Sequence, residues 1–148
     1  SELVEASEEA LSSALKAIHA GIDTAELGKI IEGVIKEFGY RPIVNLTGHG
    51  LQRWMCHAPP TIYNFSTQRG TILEEGAIIA IEPFVTDGIG KVVERNEVEI
   101  YSFASLRPVR MKQERELLEE VKQYKTLPFA KRWLSKASDL IINRLVRS

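Results

Sequence analysis

Glu82 has the most chemistry in its setting. It interrupts Ala77-Ile78-Ile79-Ala80-Ile81-Glu82-Pro83-Phe84-Val85, a run that is otherwise apolar. A carboxylate there must be paired, neutralised, bonded to backbone amides at a strand end, or bound to a cation, because an isolated buried charge is very costly. His49 lies between two glycines in Gly48-His49-Gly50, which suits a turn that aims an imidazole at a site without crowding. Eight residues later His57 precedes Ala58-Pro59-Pro60, a stiff segment able to hold an imidazole in one direction. Taken singly, the histidines read as turn residues and the glutamate as a strand end. Taken together, two imidazoles and a carboxylate fit a site for Mn, Fe, Co or Zn. The one cysteine, Cys56, excludes a cysteine-based structural zinc site and an internal disulfide. His19 falls in a helix of ordinary composition and reads as a surface residue.

Those three side chains must be positioned by short elements between longer helices. Leu3, Ala6, Ala10, Leu11, Ala14, Leu15 and Ile18 follow the spacing of an amphipathic helix, which Gly21 is expected to end as a C′ residue. Asp23 and Glu26 read as a capping box for a second helix through Leu27, Ile30, Ile31, Val34, Ile35 and Phe38, ended by Gly39. After Pro42 come short apolar pieces broken by Gly and Pro: Ile43 to Leu46, then Trp54 to His57. Glu74-Glu75-Gly76 marks a break before Ala77 to Val85, which is expected to be a central strand. A further strand is expected around Glu97 to Phe103. Three short helices should close the sequence, marked by Leu117 to Tyr124, by Thr126 to Leu134, and by Leu140, Ile141, Leu145 and Val146.

The 148 residues fit about one domain. Nineteen basic against twenty acidic side chains argue against a general polyanion binder. The charge is uneven, however. Residues 1–106 carry 8 basic and 15 acidic groups, and residues 107–148 carry 11 and 5, so the last segment is a distinct basic piece. The longest uncharged apolar run, Ala77 to Ile81, is far shorter than the ~20 residues that span a bilayer. With no signal-like opening and one cysteine, a reducing, cytoplasmic compartment is expected.

Asn45-Leu46-Thr47-Gly48-His49-Gly50, Cys56-His57-Ala58-Pro59-Pro60-Thr61-Ile62, and Glu75-Gly76 leading to Ala80-Ile81-Glu82-Pro83-Phe84 resemble, in order and spacing, consecutive motifs of methionine aminopeptidase. Thr126 to Leu134 resembles the helical insertion of its type II branch, and the archaeal form is the more similar. The resemblance implies an α+β, pita-bread fold: a curved antiparallel sheet, two covering helices and the insertion. Residues 1–106 would be part of the catalytic domain, and residues 107–148 the start of the basic insertion subdomain.

The same resemblance implies removal of the N-terminal methionine from nascent peptides. Two divalent ions would be held by two aspartates, a histidine and two glutamates. His49 would be the histidine ligand. Glu82 would be a glutamate ligand that also shuttles the proton. His57 would hydrogen-bond the substrate near the scissile peptide, and Phe84, Leu46 and Cys56 would line the methionine pocket. The family's ligand aspartates and its last glutamate fall outside the matching motifs; Asp23, Asp87 and Asp139 do not take their place. An internal piece of a longer enzyme is therefore expected, which alone holds no dinuclear site, cleaves no peptide, and associates through an exposed sheet edge.

The basic helices suggest ribosome contact. Rival readings are a non-catalytic, proliferation-associated relative that binds RNA, a proline dipeptidase, and a plain interaction domain. Retention of His49, His57 and Glu82 weighs against the first, the insertion against the second, and Glu82 against the third.

Overall fold

The structure is a computed structural model and describes residues 1–94, 98–105, 108–134 and 140–142. The chain divides into two units, Ser1–Arg53 with His57–Glu94, and Trp54–Cys56 with Arg95–Ser148.

The first unit begins with an αα-hairpin, α1 (Glu2–Ala17) and α2 (Thr24–Glu37). The buried ridge of α1 is made of Ala6, Ala10 and Ala14, every fourth residue and all fully buried, whereas Leu15 is exposed. Alanines at that spacing let α2 lie close. Leu27, Ile31 and Ile35 of α2 then fill the core with Ile22, Ile62 and Leu73. Each such side chain contributes about 1.5–3 kcal/mol by leaving water.

The caps are partly as the sequence implies. Asp23 is the N-cap of α2 as expected, but its Oδ1 accepts the Ala25 amide at 2.9 Å, the N2 position, rather than that of Glu26 as in a capping box. Gly39, at φ +79°, is the C′ residue of α2; its N–H donates to Lys36 O and that of Tyr40 to Ile35 O. Gly21 does not end α1, which stops at Ala17 with Ile18 as C-cap. Its φ of +94° serves the turn beyond, where its N–H donates to Leu73 O. His19 consequently lies past the helix rather than on it.

Short strands follow. β1 (Arg41–Pro42) pairs antiparallel with β5 (Val85–Thr86). β2 (Thr47–Gln52) lies between β3 (Met55–Tyr63) and β4 (Ile79–Ala80), with His49 opposite Ala80. The expected nine-residue central strand is therefore two short strands in different sheets. Among the described residues β4 is an edge strand, Ile78 is exposed, and residues 81–84 carry the chain from one sheet to the other. Ile43 to Leu46, expected as a strand, forms the turn between β1 and β2.

The second unit has its own core, Leu117, Val121, Phe129, Ile141 and Ile142. β6 (Ile100–Tyr101) pairs antiparallel with β7 (Phe129–Ala130), and α3 spans Lys112–Val121. The expected helix over Thr126 to Leu134 is absent. Pro128 disfavours helical backbone at Leu127, Phe129 and Ala130 join the β6 ladder, and only a 3-10 turn, Lys131–Trp133, follows. Glu97 and the stripe positions Leu145 and Val146, like the expected boundary at residues 106 and 107, lie outside the described residues. Residues 140–142 are helical.

Candidate metal centre

The two glycines beside His49 act differently from the turn expected of them. Gly-His-Gly lies within strand β2, where alternation puts His49 on one face and both glycines on the other. A Cβ on Gly48 would stand 2.3 Å from Ala80 O, and one on Gly50 would stand 2.1 Å from Pro59 O. The missing side chains thus admit β4 on one side and β3 on the other. That close approach brings the chemistry-bearing residues of three segments together.

His49 Nε2 lies 3.0 Å from Glu82 Oε1, with the imidazole mostly buried and the carboxylate about one-third exposed. Glu82 is therefore not inside a strand but in the crossing between β4 and β5. This crossing is held by neighbouring segments: Ser7 of α1 donates to Pro83 O at 3.0 Å and Ile43 N–H to Phe84 O at 2.9 Å. His57 of β3 stands edge-on to His49, with centroids 4.5 Å apart and planes at 87°. His49 thus has Glu82 on its Nε2 side and His57 against its ring.

The hydrogen bond at Nδ1 sets what the other ring nitrogen offers to Glu82. His49 Nδ1 lies 2.9 Å from Gly50 O, which can only accept, so Nδ1 carries the hydrogen. In the neutral ring the Nε2 lone pair then faces a carboxylate oxygen. Two acceptors at 3.0 Å are reconciled by a proton between them or by a cation bound by both. The separation is compatible with two donors on one ion at ordinary bond lengths of ~2.0–2.2 Å. Among the described residues no group of three or more His, Cys, Asp or Glu side chains is arranged to hold an ion. His49 and Glu82 fit as part of a metal site and do not complete one.

Leu46 and Phe84 are both half-buried in the first unit. Cys56 is half-buried in β3 and belongs with the second unit. As the neighbour of His57 it faces the other side of the strand. Two asparagines support the segment that leads to His49. Asn45 clamps Val92, donating from Nδ2 to its carbonyl at 2.8 Å and accepting its N–H at 3.0 Å. Asn64 donates to the Leu46 carbonyl at 3.1 Å. Asn64 was not readable as a site residue, since nothing in Tyr63-Asn64-Phe65 signals a contact with a residue eighteen positions earlier.

Away from the site, Glu32 of α2 ties down the β3–β4 connection by accepting the Ser66 N–H at 2.8 Å, with Lys36 Nζ 2.7 Å from its other oxygen. Burial opposes its ionisation, but the bonds from Lys36 and Ser66 prevail and hold the carboxyl below its usual value.

Helices, small antiparallel sheets and an imidazole–carboxylate pair are thus brought together in the first unit. Residues 1–107 match metallopeptidase family M24, and the chain belongs to that family. It is 58% identical over 147 residues to a methionine aminopeptidase of Archaeoglobus fulgidus, covering 99% of this chain and 50% of that protein. With a methionine aminopeptidase of Methanocaldococcus jannaschii the identity is 42% over 150 residues, covering 99% and 51%. The chain thus spans about half the length of the curated relatives it matches. A crystal structure of methionine aminopeptidase from Thermotoga maritima superposes with a TM-score of 0.60 at 34% identity, over 64% of this chain and 38% of that one. A thermophilic Arx1 structure superposes with 0.76 over 98% of this chain and 45% of its own, at 16% identity, which supports the pita-bread fold alone. Among the described residues no helix is long and apolar enough to cross a membrane.

Proposed function

We propose that this chain supplies part of the active centre of a methionine aminopeptidase, acting on the N-terminal methionine of nascent peptides in the cytoplasm. The observation that carries this reading is that His49 lies 3.0 Å from Glu82 and edge-on to His57. His49 Nε2 and Glu82 Oε1 would hold a divalent transition ion, Mn, Fe, Co or Zn, and a second ion would need ligands beyond these two. An ion held there would supply Lewis acidity toward a bound water and the scissile carbonyl. Glu82 then takes up and returns a proton at its carboxylate. His57, held against His49, donates an N–H to the substrate carbonyl oxygen as charge develops on it. Leu46 and Phe84 offer apolar wall for an unbranched thioether side chain.

The net-positive segment 107–148 is the surface by which the protein would approach ribosomal phosphate, and the outer edge of β4 is where copies would associate. A non-catalytic role leaves the imidazole–carboxylate pair without a purpose.

The test is methionine release from a Met-Ala-Ser tripeptide by manganese- or cobalt-loaded protein of the relatives' full length, with calorimetric metal titration alongside. His49→Ala and Glu82→Gln are expected to weaken metal binding and abolish release together. His57→Ala should leave metal binding intact and lower turnover by about 10²–10³-fold. Full activity in His49→Ala would overturn the assignment, as would tight binding of two ions by residues 1–148 alone.

A further inference from the structure

Asn64 is 1% exposed and lies one residue beyond β3. Its Nδ2 donates to the carbonyl of Leu46, the residue before β2. Its Oδ1 is buried with no hydrogen-bond partner in the described structure. A buried amide that uses only half its capacity is a poor choice for packing, since leucine has nearly the same shape and leaves no polar atom unsatisfied. What the Asn64 amide supplies in this structure is its N–H donor to the Leu46 carbonyl.

The placement of that donor shows what it does. β2 and β3 are joined at one end by the Arg53-Trp54 turn, and the Asn64–Leu46 bond joins their open end. His49 and His57 lie between the two ties. Strand register is ordinarily fixed by side chains interlocking across a ladder, and glycine-rich strands specify it weakly. β2 has glycine on both sides of His49, so the pair most in need of fixed register stands in the strand least able to supply it.

We propose that Asn64 is a positioning residue: by holding the Leu46 carbonyl it fixes the register and separation of β2 and β3, and thereby the edge-on placement of His57 against His49. Only the kinetic consequence rests on the aminopeptidase reading.

The test uses Asn64→Leu in protein labelled with nitrogen-15 at histidine. The melting temperature should stay near that of the parent, because the variant loses one hydrogen bond but also removes the unsatisfied oxygen. The ring-nitrogen signals of His49 and His57 should both shift, and kcat/KM on the tripeptide should fall by about 10- to 100-fold. Unshifted ring signals in a folded Asn64→Leu protein would overturn the proposal. Should that variant not fold, the parent itself decides: the Asn64 side-chain amide protons should exchange slowly, and exchange at the rate of an exposed amide would refute the tie. His49→Ala, run in parallel, separates the two ideas. If it retains activity the aminopeptidase reading fails, while the ring signals still settle the role of Asn64.

Discussion

Gly50→Ala tests whether the spacing around His49 is set by missing side chains. The new methyl carbon would stand 2.1 Å from Pro59 O, 2.6 Å from Pro59 C and 3.1 Å from Ala58 O. All three are backbone atoms, so no side chain can swing aside. The gap between β2 and β3 must open by roughly 1 Å to reach even the closest approach that carbon and oxygen tolerate. Two ladder bonds of ordinary length, ~2.9 Å, would then break. Two lost bonds at about 1 kcal/mol each, with residual strain, give about 2–3 kcal/mol. At roughly 2–4 °C per kcal/mol for a chain of this size, Tm should fall by about 5–10 °C. His57 should retreat from His49, lowering kcat/KM by about 100-fold. Gly33→Ala is the control, because a Cβ at Gly33 in the interior of α2 meets nothing within 4 Å. That change should stabilise by about 0.5–1 kcal/mol through loss of unfolded-state freedom. Thermal unfolding followed by circular dichroism reads both. A parental Tm in Gly50→Ala, or the same sign of response at both glycines, would refute the reasoning.

Two further outcomes follow from the first unit. Leu27→Ala empties a fully buried position packed among Ile31, Ile35 and Ile62 and should cost about 2–5 kcal/mol in denaturant unfolding. Glu32→Gln should alter the acid side of the stability profile. Since the folded carboxyl titrates below its usual value of 4.5, its contribution is complete above that pH and is lost as pH falls through the folded value. Parent and variant should therefore differ by about 1 kcal/mol at neutral pH, a modest figure for a partly exposed ion pair and amide bond. They should converge in acid, and a gap that persists at low pH would show that the Glu32 charge is not its source.

How much of this was legible in the sequence depended on whether the contact was local. The two helices could be read because Leu27, Ile31 and Ile35 repeat at helical spacing and Gly39 supplies a C′ residue, both properties of neighbouring residues. The end of α1 was not, because Gly21 looks like a stop while the helix breaks three residues earlier, where the chain turns to reach Leu73. The apolar run around Glu82 reads as one strand, since hydropathy does not record that residues 79–80 and 85–86 have different partners. The stretch after Pro128 reads as helix because its apolar residues fit that spacing, but pairing with β6 overrode local preference. Of the motif residues, Glu82 and His57 each lie against His49. The tie from Asn64 to Leu46, eighteen residues apart, has no sequence signature.

The arrangement around His49 also explains why a strand serves where a turn was expected. A turn would free the imidazole on all sides and leave its distance from any partner to loop motion. In β2 the imidazole occupies one face, and the opposite face is emptied by Gly48 and Gly50. Gly48 lets the backbone of residues 80–82 press in, since a Cβ there would meet Ala80 O at 2.3 Å and Glu82 N at 3.3 Å. The missing Cβ of Gly48 thus leaves room for the backbone that carries Glu82, whose carboxylate lies 3.0 Å from His49. Gly50 does the same for the residues after His57. Each neighbour of His49 therefore bears on one contact: Gly48 on the approach of the Glu82 carboxylate, and Gly50 on the imidazole of His57 that stands edge-on to its ring. The histidine is placed by the two residues beside it that have no side chain.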